Sequence, residues 1–347
     1  MNTLSKYSLI NAKLRAAVSK LFKKEILDKL ITCGTLLECH DILQNTPYQK
    51  IFNAVPQPYD INLLEYHLFK EEINIYSEIT KHVYGETKKT ILRLMEKLEL
   101  ENLKSTFRIW LGKASSNYLV HERIVSPIPT AKILQAEDLK TVVSYLKGTP
   151  YYSSFQEILP AILEESVLFQ LETKLDINYY KRLWNQISEL SARDRLLSYQ
   201  LLGIDIDIKN IQIIHRLKKY YQLSSAEIFK HLIPLQGGVR EALKEIIYAD
   251  YKIQKNFGFL NDKSLLPLEA LLSEKNAQDK LFFLEEILNE VLISKAKKAL
   301  LGFPFSIGII LAFLTLKKIE IENIKKILRG KALNIPPQEI KKKILTI

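Results

Sequence analysis

The sequence predicts an all-α protein built from three tandem, similar helical-bundle units. Three observations carry that prediction: few helix breakers, apolar residues at helical spacing, and one ten-residue signature that occurs three times. Eleven glycines and twelve prolines among 347 residues, with abundant Leu, Ile, Lys and Glu, favour long helices and short connections. Hydrophobic residues at 47% and charged residues at 26% fit a folded chain with a large core rather than a disordered one.

The signature reads acid–(Leu/Ile)–x–Asn–(Leu/Ile)–four residues–Arg. It occurs as ELENLKSTFR at 99–108, DIKNIQIIHR at 207–216 and EIENIKKILR at 320–329, offset by 108 and 113 residues. Its fixed positions are Glu99, Asn102 and Arg108; Asp207, Asn210 and Arg216; and Glu320, Asn323 and Arg329. A second marker, L-E-x-x-L, places Glu65, Glu172 and Glu285 34, 35 and 35 residues before the acids. A third, LQNTPY at 43–48 and LKGTPY at 146–151, links only the first two copies, with Ile31 and Leu36 matched by Leu134 and Leu139. Such a repeat of about 110 residues divides the chain into helical units 1–115, 116–222 and 223–347, the last with a C-terminal helix.

In chain order, the opening segment reads as an amphipathic helix with Leu9, Ala12, Ala16 and Leu21 near helical spacing. It lacks the continuous apolar stretch of a signal peptide. Cys33, Cys39 and His40 are too few for a zinc site and read as core or boundary residues of one helical segment. Two cysteines make no disulfide framework and suggest a reducing compartment. SPIPTAK at 126–132 is a Pro-containing connection, and QGG at 236–238 a loop. SSAE at 224–227 fits a capping box, and PPQE at 336–339 puts proline where a first helical turn tolerates it.

Within each signature the apolar residues share one helical face: Ile208, Ile211 and Ile214 in the second copy, and Ile321, Ile324, Ile327 and Leu328 in the third. Asn is an indifferent helix former, so its recurrence at the edge of that face implies a repeated hydrogen bond to a neighbouring helix end or loop. The arginines lie well round from the face, where they reach toward an adjoining helix or unit. The uncharged run 299–316 contains Gly302, Pro304 and Gly308. A turn at 301–304 launching a buried helix from about 305 explains it better than a membrane span.

The net charge of +11 invites a nucleic-acid or anionic-membrane reading. The lysines are nevertheless spread along the chain without aromatic interleaving, which favours solvated helix faces. Neither a phosphate loop, G-x-G-x-x-G, H-E-x-x-H nor G-x-S-x-G occurs, and GKAS at 112–115 lacks a preceding glycine-rich turn. The six histidines are scattered, and His215 stands where the other copies have Phe107 and Leu328, which favours packing over catalysis. The chain is therefore expected to be no enzyme, with no cofactor and no metal.

Three helical units of this size, YSLINAKLRA at 7–16 and FSIGIILAFLTLKKIEIENIKKILRGK at 305–331 resemble the C subunit of prokaryotic V/A-type ATPases. That family of ATPase and ATP synthase parts includes the d subunit of the eukaryotic V-ATPase. The resemblance runs from Tyr7 to the C-terminus. It implies a pseudo-threefold funnel in the central stalk, a non-catalytic rotor part between the central shaft and the membrane proteolipid ring. In that role it links ATP hydrolysis or synthesis to H+ or Na+ transport, one copy per complex. The place implied is peripheral, on the cytoplasmic side of the membrane, which it reaches only through the ring. One departure is that the first signature continues IWLGK, the second LKK and the third GK. The alternatives are a helical-repeat scaffold of another kind or a nucleic-acid-binding protein, although no nucleic-acid partner is expected.

Overall fold

A computed structural model describes residues 3–112, 119–159, 165–221, 223–233 and 277–346. All regular structure among them is helical. The helices are α1 (Thr3–Val18), α2 (Lys24–Thr32), α3 (Leu36–Leu43), α4 (Gln49–Asn53), α5 (Ile61–Thr80) and α6 (Gly85–Trp110). Then come α7 (Thr130–Leu134), α8 (Leu139–Tyr145), α9 (Tyr152–Gln156), α10 (Glu165–Ser188), α11 (Ala192–Tyr221) and α12 (Ser225–Lys230). The described chain closes with α13 (Ala277–Leu301), α14 (Ile307–Ala332) and α15 (Pro337–Lys341). The QGG loop and Lys113–Ser115 lie outside the described residues.

The chain forms two compact units, one of residues 1–175 with 299–347 and one of residues 176–298. In the first, α14 lies along α5, and α1 and α3 also pack on it. Ile321, Ile324, Ile327 and Leu328 of α14, with Ile340 of α15, join a core made by Phe22, Leu30, Cys39, Tyr48, Phe52 and Leu64. The end of the chain thus completes the core of its beginning. In the second unit Trp184 of α10 stacks on Tyr199 of α11, their ring centroids 4.3 Å apart. Tyr180 Oη donates to Asp205 at 3.3 Å.

The run from Ile307 to Leu314 is buried throughout, and no helix of the described residues is long and apolar enough to cross a membrane. The apolar residues of 299–316 are instead shared between the end of α13, a turn, and α14, whose N-cap is Ser306. Local punctuation follows side-chain chemistry. Ser224 and Glu227 form the reciprocal capping box of α12. Thr35 caps α3 by accepting from the Glu38 amide, and Asp138, 103 residues later, caps α8 through the Thr141 amide at 2.8 Å. That bond holds the Asp138 carboxyl below its usual range.

Two expectations are corrected. The buried face of α1 carries Tyr7, Ile10 and Leu14, whereas Leu9 is 58% exposed, Ala12 and Ala16 face outward and Leu21 lies past the end of the helix. The i, i+3, i+7 set with the larger apolar area wins, and Tyr7 also gains a 2.8 Å hydroxyl bond to Thr87. Cys33, Cys39 and His40 do not share one helix: Cys33 ends α2 and the other two lie in α3. Gly34 and Thr35 break the helix between them, because Thr35 takes an extended conformation to serve as the cap.

Glycine has two different uses in the signature copies. Gly112, past the end of α6, has φ +68°, a conformation that L side chains rarely adopt. Gly330 lies inside α14, where a Cβ would come within 2.6 Å of Ile340 Cδ1, so its missing side chain lets α15 close on α14. Asn334, at φ 54°, then turns the chain, with Ile335 N–H donating to Gly330 O at 2.8 Å and Asn334 N–H to Lys331 O at 3.1 Å. This is the paired closure of a Schellman helix end.

Candidate functional site

The repeated signature residues supply much of the polar interior, and each type has its own task. Asn is the clearest. Asn102 Nδ2 donates to Val120 O at 2.8 Å while its Oδ1 accepts from Val120 N–H at 3.0 Å. Asn210 makes the same pair with Ile233, at 3.4 and 2.8 Å, and Asn323 with Leu345, at 2.6 and 3.1 Å. In each case a helical amide satisfies both backbone groups of one residue 18 to 23 positions onward. A carboxylate has no donor, and a hydroxyl has both roles on one atom, whereas the amide presents its donor and acceptor side by side on two atoms.

The acids hold chain turns and a tyrosine. Glu99 Oε2 accepts from the amides of Val125 and Ser126 at 2.8 and 2.5 Å, and its Oε1 accepts from Tyr151 Oη at 3.0 Å. Burial raises the Glu99 carboxyl above its usual range, while the two amide bonds oppose that shift. Glu320 repeats the arrangement. Its Oε2 accepts from Phe22 N–H, and its Oε1 accepts from Tyr48 Oη at 2.7 Å and from Lys317 Nζ at 2.6 Å. Lys317 also lies over the Tyr48 ring, 4.5 Å from its centroid.

Tyr48 and Tyr151 are the tyrosines of the two TPY turns. Both turns are built alike: Thr46 and Thr149 each donate a hydroxyl to the carbonyl three residues back at 2.7 Å. The same hydroxyls accept from the amides of Tyr48 and Tyr151 at 3.2 and 3.4 Å. In the middle copy burial alone pushes the Asp207 carboxyl up to about 7.

The arginines of the first and third copies meet glutamates of the second marker. Arg108 grips Glu172 with Nε at 2.6 Å and Nη2 at 2.7 Å, and Arg329 grips Glu65 with Nε at 2.9 Å and Nη2 at 2.5 Å. Both are two-pronged, a geometry that guanidinium allows and ammonium does not. In the middle copy Gln212 Nε2 donates to Glu285 at 2.8 Å. The pairings follow a rule of succession. The acid and arginine of the first copy reach a tyrosine and a glutamate of the second, and those of the third reach a tyrosine and a glutamate of the first.

The sequence does not point to several of these participants, among them the hydroxyls of Tyr48 and Tyr151, the Phe22 amide, Lys317 and Lys331. Lys331 is buried and donates to Ile31 O at 2.5 Å, closing the end of α2. The recurrence of Tyr beside TP was the available signal for the two hydroxyls. A backbone amide leaves no such mark. Among the described residues no cluster of three His, Cys, Asp or Glu is placed to hold a metal ion.

Fold and site together define a helical repeat protein whose buried polar groups join one helix to the next. The chain belongs to the ATP synthase (C/AC39) subunit family, whose profile matches residues 10–343. It is similar to the C subunit of the A-type ATP synthase of Methanocaldococcus jannaschii, with 25% identity covering 99% of this chain and 87% of that protein. Its likeness to the corresponding protein of Methanosphaera stadtmanae is 26% over 98% and 88%, and to that of Haloferax volcanii 24% over 97% and 96%.

Proposed function

We propose that this chain is the non-catalytic central-stalk subunit of a V/A-type ATPase or ATP synthase, coupling the central shaft to the membrane proteolipid ring. Its three repeats, 1–115, 116–222 and 223–347, close as a pseudo-threefold funnel on the cytoplasmic side of the membrane. ATP hydrolysis or synthesis at other subunits is thereby linked to H+ or Na+ movement through the ring. The observation that carries this reading is the succession of pairings, in which the acid and arginine of the last repeat bind the tyrosine and glutamate of the first. An open array of repeats leaves those partners on its two end units unused. A stiff, closed arrangement of this kind also suits a part that must transmit torque.

Removal of the subunit tests the role. The soluble head is expected to keep hydrolysing ATP while ion transport stops responding to hydrolysis. Loss of ATPase activity by the head alone would overturn the reading. Affinity capture from detergent-solubilised membranes is expected to recover the ring together with shaft subunits, and recovery of neither would also overturn it.

A further inference from the structure

The two cysteines of this chain stand in a relation that a packing role leaves unexplained. Cys33 Sγ and Cys39 Sγ are 2.9 Å apart, although both thiols are free. Cys33 is partly exposed at the end of α2, flanked by the exposed Thr32, Gly34 and Thr35. Cys39 is fully buried in the core that α14 completes. The connecting segment is held from both ends. Gly34 N–H donates to Glu38 at 2.7 Å, Thr35 caps α3, and the Cys33 amide donates to Lys29 O at 3.0 Å.

We propose that Cys33 and Cys39 form a reactive dithiol whose substrate is a low-molecular-weight disulfide, and which closes to an intramolecular bond between α2 and α3. A disulfide has its sulfurs about 2.05 Å apart, so closure needs a movement of about 0.9 Å, within the reach of side-chain rotation. In the first step the Cys33 thiolate attacks one sulfur of the small disulfide. A mixed disulfide forms, the old S–S bond breaks, and one small thiol leaves. In the second step Cys39 attacks Cys33 Sγ, passing its proton to the departing second thiol. Two protein thiols are oxidised and one small disulfide is reduced to two thiols.

The division of labour follows from position. Only Cys33 meets solvent, so Cys33 makes the first attack, and Cys39 resolves the adduct from behind. Burial and the adjoining Cys33 thiol hold the Cys39 thiol well above its usual range, with Lys331 acting in the opposite direction. The resolving step is therefore slow at neutral pH and accelerates as pH rises. Closure ties α2 to α3 beneath the point where Lys331 Nζ binds Ile31 O, so the bond bears on the seat of α14. This inference is independent of the coupling role proposed above, and its test needs only the isolated full-length chain.

The folded chain is incubated with glutathione disulfide, quenched with acid, and measured by intact mass and by alkylation of remaining thiols. The wild type is expected to lose both thiols, retain no glutathione and stay monomeric on a non-reducing gel. Cys33→Ser is expected to keep its buried Cys39 thiol unmodified over the same period. Cys39→Ala is expected to retain one glutathione on Cys33. Stable glutathionylation of the wild type, a disulfide-linked dimer, or two persistent thiols in excess oxidant would each overturn the proposal. If Cys39→Ala fails to fold, the wild type decides alone, because loss of both thiols with no retained glutathione and no dimer requires a second thiol of the same chain to resolve the adduct.

Discussion

Glu320 is the point at which the last repeat grips the first, and a double-mutant cycle with Tyr48 measures that grip. The carboxylate is completely buried and accepts from Tyr48 Oη, Phe22 N–H and Lys317 Nζ. Glu320→Ala leaves an amide, a phenol and an ammonium without their acceptor. Breaking a buried pair by removing one partner costs about 3–5 kcal/mol. Tyr48→Phe removes one hydrogen bond to a charged group, worth about 1.5–3 kcal/mol. Once Glu320 is gone the Tyr48 hydroxyl has lost its acceptor, so the second substitution costs less and the coupling energy is at least about 1 kcal/mol.

The readout must belong to the right compact unit, and the two tryptophans make that possible. Trp110 lies in the unit that contains α14, and Trp184 in the other. A Trp184→Phe background keeps a ring against Tyr199 while leaving Trp110 fluorescence as the only indole signal. Urea titration of the four variants then gives the cycle. Additivity of the two substitutions within about 0.5 kcal/mol would refute the argument that this carboxylate and this hydroxyl act as one unit.

Three further outcomes follow from the same geometry. Asn102→Ala is expected to cost about 2–4 kcal/mol, since it orphans both backbone groups of Val120, and to speed hydrogen exchange at the Val120 amide. Equal exchange in both proteins would count against it. Arg108→Ala is expected to destabilise more than Arg329→Ala, about 1–3 against about 0.5–1 kcal/mol, because the Glu172 side chain is 6% exposed and that of Glu65 is 20% exposed. Urea midpoints of the two variants check the order. Asp207 is expected to make its unit most stable below about pH 4, where the acid is protonated in both states. Stability then falls as pH rises toward 7, by at most about 1.4 kcal/mol per pH unit, because the unfolded chain ionises first. Asp207→Asn is expected to flatten that slope in pH-dependent unfolding followed by Trp184 fluorescence.

Much of this was legible in the sequence because repeats print the same chemistry more than once. The signature asparagines lie on helices as the periodicity implied, and the apolar faces beside them are buried. The capping box at Ser224 and the proline start at Pro337 needed only local rules. Long-range choices were less legible. Nothing in α1 alone says that Tyr7, Ile10 and Leu14 win over Leu9, Ala12 and Ala16, because that depends on what α6 and α14 present. The pairing of Arg329 with Glu65 spans 264 residues, and neither motif alone says that the two meet. Gly330 has a role visible only when Ile340 is seen against it.

The joining of the last long helix to the first small ones has a consequence for synthesis. Phe22 waits for Glu320 across 298 residues, and Leu30, Cys39 and Phe52 wait for Ile321, Ile324 and Ile327. At a ribosomal rate of roughly 5–20 residues per second, that delay is on the order of 15–60 seconds. Throughout it the opening segment carries apolar side chains without the surface meant to cover them. A nascent chain stalled before residue 320 is therefore expected to be a client for chaperones that hold unfinished cores, and release to become unnecessary only when the final helix arrives.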